Sequence, residues 1–419
     1  MGGAVYLGRG QTSFEAEAGK DEFKNNASLQ DCHLPGGARP FPLRGMPKVL
    51  LLTAGYGEGH NAAARGLHTA LGELGADSEI LDLFAMTGGA FYERSRRDYI
   101  GLINHAPRLW AAVYRLIDVV PVVSWTLPLL GKMRSALARI LEDRKPDAVV
   151  SVYPVYGYLI ERLFPRRAQR SFAFHTVVTD SITINSVWHR CASDSFFVPN
   201  EHTGRVMMHA GVPEGRLRVL GFPVPPRFAR DRPTRPSPAP DQPPRVLYMI
   251  NAGKSQAPRI VSRLLKIERL HLTVTVGRDE KLRARIEAAA QAAGRSVEIH
   301  GWTPQMPELL MTHHLLIGKA GGAAVQETIA ARTPMLITQV VPGQEEGNAQ
   351  LLFENGCGAL CETPDALATT IERLFAGDAA EWRAWERAIG ALSKPDAALQ
   401  IAGAVLSEIE SEEKKRPNS

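Results

Sequence analysis

Residues 51–67 read LLTAGYGEGHNAAARGL: an apolar run, then Gly55, Gly57 and Gly59 at alternate positions, then His60 where a helix should begin. Glycines between a strand and a helix let the backbone turn and approach a ligand or a neighbouring element closely. At a helix N-terminus the partial positive charge of the dipole disfavours imidazolium, which predicts a neutral His60 near pH 7. A neutral imidazole in a cleft can take a proton from a hydroxyl nucleophile. The same helix end, with Gly59 beside it, can help hold an anionic group. The loop thus suits deprotonating an alcohol beside a phosphate-bearing ligand. Two other readings stay open: a tight turn with an incidental histidine, and a dinucleotide fingerprint with Asp82 as its acidic residue. The fingerprint fits poorly, because the third glycine comes one residue early.

A second group lies between 300 and 348. HGWTPQMPELLM (300–311) reads as a strand end turning into a helix, with Trp302 and Met306 in the turn. In IGKAGGAAVQE (317–327), Gly321 and Gly322 end a strand and open a helix whose N–H groups can hold a diphosphate. Glu327 lies a turn and a half inside, where a carboxylate can accept two hydrogen bonds from a ribose diol. In PGQEEGN (342–348), Gln344 and Asn348 stand one helical turn apart, with Glu345 between them. Amides and carboxylates together suit the several hydroxyls of a sugar. The helix dipole and backbone donors can stabilise a leaving diphosphate, and no Asp-x-Asp motif occurs, so neither a metal nor a cofactor is expected. NAGKSQ (251–256) lacks P-loop spacing; it suits a phosphate-facing turn with Ser255 or Lys254 near the diphosphate.

These residues need elements to hold them at one place. From residue 47 apolar runs and helical patterns alternate: KVLLLTA, SEILDLF, DAVVSVYP, SFAFHTVVTD, DSFFVPN and LRVLGFPV, with helices between and a long helical stretch over 91–145 broken near Pro107 and Pro121. Residues 223–244 carry nine prolines, which exclude a central strand or helix and suggest a semi-rigid linker. The alternation then restarts with RVLYMIN, LTVTVG, SVEIHGW, HLLIGKAGG and PMLITQV. Alternating strands and helices imply parallel sheets covered on both faces, whose ligands bind beyond the carboxyl ends of the strands. The expected organisation is α/β. Residues 1–45 form a disordered extension, with Met46 as a candidate natural start, and 46–222 a Rossmann-like acceptor-binding domain. The linker spans 223–244, a Rossmann-like domain for a sugar nucleotide 245–378, and terminal helices and tail 379–419.

Composition narrows the class. The chain of 419 residues has a net charge of +5, which suits an anionic substrate or anionic lipid headgroups and does not mark a nucleic-acid binder. No apolar run reaches the roughly 18–20 residues of a spanning helix. The nearest, residues 119–131, is too short and holds two prolines. With no signal-peptide pattern at the start, a cytoplasmic protein that touches a membrane surface is expected. Cys32, Cys191, Cys357 and Cys361 show no metal spacing and read as reduced thiols.

LLTAGYGEGHNAAARGL, VVTDSITINSVWHRCASDSFFVPNE and GWTPQMPELLM…IGKAGGAAVQETIAARTPMLITQVVPGQEEGNAQLL resemble, in this order, three motifs of the monogalactosyldiacylglycerol synthase and processive diacylglycerol glucosyltransferase family. The donor half is similar to that of the N-acetylglucosaminyl transferase of lipid II synthesis. The resemblance covers roughly residues 47–395. It implies the GT-B architecture of two facing Rossmann-like domains, and an inverting, metal-independent transfer from a UDP-sugar. It implies His60 as general base on the acceptor hydroxyl and Asp180 near the acceptor as a candidate orienter of that base. It sets Trp302 and Met306 against uracil, Gly321 and Gly322 on the diphosphate, Glu327 on the ribose, and Gln344, Glu345 and Asn348 on the hexose. The chain departs from the family at Ala320, usually proline, and at Ala324, usually threonine, which removes a hydroxyl donor to phosphate. It departs again in the turn INAGKSQ and around Asn185.

For the acceptor, residues 91–140 mix Phe91, Tyr92, Tyr99, Trp110, Tyr114 and Trp125 with Arg94, Arg96, Arg97, Arg108 and Arg115. This mixture suits an interfacial surface on anionic lipid, or a packed helical cover with a solvated basic face. The family resemblance favours a lipid acceptor, diacylglycerol or a related glycolipid, and peripheral contact with the inner face of the cell membrane. The alternatives are a UDP-sugar epimerase or hydrolase on the same scaffold, or a UDP-sugar-binding protein without transfer.

Overall fold

β1 (Lys48–Thr53) has five consecutive buried residues, the mark of a strand covered on both faces. It sits inside a six-stranded sheet of order β2-β1-β3-β4-β5-β6, in which every neighbouring pair runs parallel. The other strands are β2 (Asp77–Asp82), β3 (Ala148–Ser151), β4 (Ala173–Val177), β5 (Ser195–Val198) and β6 (Leu217–Val219). A computed structural model describes residues 45–119, 125–126, 130–239 and 242–415, all in one compact unit. Residues 1–44 of the expected extension over 1–45, with Cys32, the break at Pro121, Pro240 and the end of the tail, lie outside the described residues, as do the side chains of Phe91 and Arg108.

Helix α1 (Glu58–Glu73) follows β1 and buries Ala62, Ala63, Ala64, Leu67, Ala70 and Leu71 on one face. The long helical stretch begins earlier than its sequence suggests, as α2 (Leu83–His105), capped by Asp82 and kinked at Gly89 (φ 48). It breaks before Pro107, which opens α3 (Pro107–Val119), and resumes as α4 (Gly131–Arg144). α5 (Val155–Leu163) follows β3, and α6 (Glu201–His209) follows β5.

The second sheet has the order β12-β11-β10-β7-β8-β9 and is also parallel. Its strands are β7 (Arg245–Met249), β8 (His271–Thr275), β9 (Glu298–His300), β10 (Leu315–Lys319), β11 (Met335–Gln339) and β12 (Gly358–Leu360). β12 has no counterpart among the apolar runs of the sequence. Between α7 (Arg227–Arg230) and the helices of the site stand α8 (Ala257–Leu264) after β7 and α9 (Glu280–Ala292) after β8. The two lobes are the facing Rossmann-like halves of a GT-B fold. The second sheet reverses its strand order between β7 and β10, the first between β1 and β3, and those are the places where such sheets hold ligands.

The proline-rich segment is not a free spacer. It contains a short helix, α7 (Arg227–Arg230), and Val224 and Phe228 are buried in the core. The Pro223 carbonyl lies on α1 where a Cβ at Gly66 would collide with it. Arg235 is buried against the second lobe, bonded to Ala331 O, Arg332 O, Thr333 Oγ1 and Glu386. At the C-terminus, α13 (Pro364–Leu374) and α14 (Ala380–Leu392) cover the second lobe. α15 (Ala397–Lys415) returns to the first, with Glu408 paired to Arg218 at 2.6 Å.

Candidate active site

Each sheet brings its chemistry to its own reversal point. His60 stands in the first turn of α1, directly after β1. Its Nδ1 lies 2.9 Å from Val152 O, just past β3, and 2.8 Å from Thr179 Oγ1, just past β4. A carbonyl oxygen only accepts, so Nδ1 carries the hydrogen and Nε2 keeps its lone pair. The Tyr153 and Trp188 rings stand 5.0 and 6.1 Å away. Desolvation among these neighbours lowers the His60 pKa to about 4, against the opposing pull of the Val152 bond. The imidazole is therefore neutral at pH 7, by enclosure rather than by the helix dipole alone.

None of Gly55, Gly57 and Gly59 has a positive φ, and the Gly57 backbone is extended. Of the three, Gly55 alone is required by a close approach. A Cβ at Gly55 would collide with Tyr92 Oη, and one at Gly59 would come 3.8 Å from the Ala323 nitrogen in the other lobe. Asp82 is committed locally: its carboxylate accepts from Gly55 N at 2.9 Å, Ala85 N at 3.0 Å and Tyr92 Oη at 3.2 Å. That leaves no carboxylate for a dinucleotide ribose, and the fingerprint reading falls.

Across the cleft, α11 (Gly322–Ala330) opens after its N-cap Gly321, so the free N–H groups of its first turn face the His60 loop. A Cβ at Gly322 would lie 3.6 Å from Thr179 O, so the lobes meet closely here. Glu327, one turn further, has no side-chain partner among the described residues. Burial raises its pKa to about 7, with Arg65 of α1 opposing and Glu58 adding to the rise. Asn348 lies in α12 (Glu346–Glu354). It is buried and donates to Ala320 O at 3.2 Å, while its Oδ1 has no partner among the described residues. Gln344 accepts from Tyr99 Oη of α2 at 2.9 Å. Trp302 is 65 % exposed, with the Arg278 guanidinium over its ring at 5.4 Å, and Met306 opens α10 (Met306–Thr312) half-buried against the core.

Three expectations need correction. Asp180 does not orient His60; it accepts from Trp188 Nε1 at 2.7 Å, and burial raises its pKa to about 6. Val152 and Thr179 hold the ring instead. Glu345 is not free for a hexose: it is buried, ion-paired to Lys319 at 2.6 Å, and it accepts from Val341 N at 3.0 Å. Ser255 sits on an exposed turn where Arg285 bonds its carbonyl, and Lys254 pairs with Asp279. In that turn Asn251 reaches the strand end before Gly321, where its Oδ1 accepts from Lys319 N at 3.4 Å. Sequence reasoning gave no site role to Val152, Thr179, Asn251 or Lys319, although each stands in a segment quoted above, Thr179 directly before Asp180. All four lie at or just past strand ends, and their roles become visible once strand order is known.

The aromatic residues of α2 and α3 mostly face inward. Tyr92 is buried, and Tyr99 packs edge-on against Trp110 at 5.0 Å and Tyr56 at 5.9 Å. Among the described residues, the exposed large apolar side chains of this stretch are Met86, Leu109, Leu116 and Trp125. Among the described residues no helix is long and apolar enough to cross a membrane. Cys191, Cys357 and Cys361 are free and buried.

Residues 60–224 match the monogalactosyldiacylglycerol synthase family. The chain is 25% identical over 378 residues to a probable chloroplastic monogalactosyldiacylglycerol synthase of Nicotiana tabacum, covering 84% of this chain and 69% of that one. It is 24% identical over 372 residues to a processive diacylglycerol beta-glucosyltransferase of Bacillus cytotoxicus, covering 86% and 94%. Among solved structures it superposes on Acinetobacter baumannii MurG with a TM-score of 0.58 at 15% identity, covering 86% of this chain and 99% of that one. This last likeness carries the fold. The resemblance drawn from the three motifs stands.

Proposed function

We propose that the chain is a glycosyltransferase that moves a hexose from a UDP-sugar to the hydroxyl of diacylglycerol or a related glycolipid, with inversion at the anomeric carbon. The observation that carries this is the His60 ring, fixed through Nδ1 so that Nε2 is a free, uncharged base opposite the open N-terminus of α11. Nε2 takes the hydroxyl proton as the acceptor oxygen attacks the anomeric carbon. The bond from that carbon to the diphosphate oxygen breaks on the opposite face, and UDP leaves with the electron pair. The first N–H groups of α11, with Lys319 beside them, stabilise the departing charge. In this reading Glu327 takes the ribose, Trp302 and Met306 the uracil, and Gln344 and Asn348 the hexose. The related diacylglycerol enzymes support the acceptor class. Leu109 and Leu116, seven residues apart on one face of α3, together with the exposed Arg94 and Arg97 of α2 and Arg115 of α3, suit peripheral contact with anionic lipid at the inner face of the cell membrane.

The test is a product screen of UDP-glucose, UDP-galactose and UDP-N-acetylglucosamine against a lipid extract. A glycolipid should form from at least one donor, and His60→Ala should reduce its formation about 10²–10⁴-fold while UDP binding survives. Turnover that survives in His60→Ala removes the base. Conversion of the donor at the same rate without lipid would replace transfer by epimerisation or hydrolysis.

A further inference from the structure

The segment 342–348 belongs to the second lobe but is shaped by the first. Gly343 (φ 83) lies against the Tyr114 ring, where a Cβ would come within 3.0 Å of Cδ1. Gly347 N donates to Thr183 Oγ1 at 3.0 Å. Between these two contacts, Tyr99 Oη donates to Gln344 Oε1 at 2.9 Å. Burial pushes the Tyr99 phenol well above its ordinary range, so the hydroxyl keeps its proton. The ring has little freedom, being held edge-on by Trp110 at 5.0 Å and Tyr56 at 5.9 Å. Gln344 Nε2 has no partner among the described residues. An amide whose oxygen is already occupied presents its nitrogen to a ligand as a donor.

We propose that Tyr99 is a positioning residue that sets the sense of the Gln344 amide, oxygen toward Tyr99 and nitrogen toward the hexose. The acceptor lobe then helps decide which hexose the donor lobe accepts. This rests on the reading of the cleft as a UDP-hexose site. The hexose taken is one that places a hydroxyl oxygen opposite Nε2, and its epimer at that carbon loses the bond. Selectivity of this kind comes from one half-buried amide kept in one orientation, and a free amide could flip to serve either epimer.

The experiment compares the full chain with Tyr99→Phe, Gln344→Glu, Gln344→Ala and Tyr99→Phe/Gln344→Ala. Affinities for UDP, UDP-glucose, UDP-galactose and UDP-N-acetylglucosamine are measured by calorimetry, alongside melting temperatures. Tyr99→Phe should compress the affinity ratio between the preferred and least preferred hexose by about three- to tenfold, the worth of one hydrogen bond, with UDP affinity unchanged. In the Gln344→Ala background it should add nothing, since the two side chains act as one unit. A purely structural role for Tyr99 would lower melting temperature or affinity for all three donors equally, and that result overturns the proposal. An unchanged hexose ratio in a folded Tyr99→Phe overturns it as well. Should Tyr99→Phe not fold, Gln344→Glu decides: it keeps the acceptor for Tyr99 and removes the amide donor, so a retained hexose ratio sinks the proposal and a lost ratio supports it. An unaltered chain that binds no UDP-hexose overturns the functional reading itself, whereas a chain that binds them while Tyr99→Phe changes nothing overturns this inference alone.

Discussion

The two strand-end loops that face each other across the cleft are built on opposite plans. The His60 loop is complete within its own lobe: Val152 and Thr179 fix the ring, Asp82 ties down Gly55, and Gly55 permits the close approach of Tyr92. The donor side is unfinished in two senses. Asn348 Oδ1 has no hydrogen-bond partner among the described residues, Glu327 has only the electrostatic pull of Arg65, and the segment 342–348 leans on Tyr99, Tyr114 and Thr183 of the other lobe. A proton acceptor can be built ready-made, because it needs only enclosure and one fixed tautomer. A site for a charged, many-hydroxyl donor has to leave buried polar groups unpaired until the ligand arrives, and each costs folding free energy meanwhile.

If the donor segment depends on the acceptor lobe, prying the lobes apart at one point should have the largest effect. A Cβ at Gly347 would collide with Ser181 O and come within 2.6 Å of Thr183 N. Gly347→Ala should therefore cost the closed form about 1–3 kcal/mol, the usual range for overpacking. Lipid glycosylation should fall about 10–100-fold. Binding of UDP alone should change little, and small-angle scattering should show a larger radius of gyration. Full transfer activity in Gly347→Ala would mean that the lobes need not meet at this contact.

Glu327→Gln tests the cost of the unfinished side. The folded carboxyl titrates near 7, above its ordinary 4.5, so ionisation opposes folding: the penalty is absent below pH 4.5, grows through the interval and is complete above pH 7. The glutamine variant should melt at the same temperature as the unaltered chain at pH 4.5. It should be more stable by about 1–2 kcal/mol at pH 8, discounted for partial exposure. On the proposed reading, in which Glu327 takes a ribose diol, its UDP-sugar affinity should fall about tenfold as that charged acceptor is lost. Equal melting temperatures at pH 8 would show that the carboxylate is solvated after all.

Much of this was legible in the residues. Buried apolar runs gave the strands of both lobes except β12, whose three residues Gly358–Leu360 are too few to form a pattern. The helix-opening glycines at 321–322 and the histidine at 60 marked both reversal points. What stayed hidden depends on which strands are neighbours. His60, Val152 and Thr179 are scattered over 120 positions and meet because β3 pairs with both β1 and β4. Glu345 is withdrawn from the cleft by Lys319, which nothing in PGQEEGN foretells. Asp180 became a candidate orienter through the family resemblance, which sets it near the acceptor; past the strand end the Thr179 and Asp180 side chains diverge, one to His60 and the other to Trp188.

That divergence sets the smallest test. Thr179→Val keeps volume and shape and removes one of two contacts on Nδ1, leaving Val152 O to hold the tautomer. The lost hydroxyl would have stabilised the imidazolium that forms as the acceptor is deprotonated, so kcat should fall about three- to tenfold with donor KM unchanged. Because the His60 pKa is held near 4, activity in the unaltered chain should stay flat from pH 8 down to about pH 6 rather than falling through the ordinary histidine value of 6.5. Thr179→Val weakens the base, so any acid limb should move to lower pH. Asp180→Asn, which keeps an oxygen for Trp188, should leave that limb in place. The reverse ranking, with the limb moved by Asp180→Asn and untouched by Thr179→Val, would return the orienting role to the carboxylate. It would also mean that the His60 loop is less self-contained than its hydrogen bonds indicate.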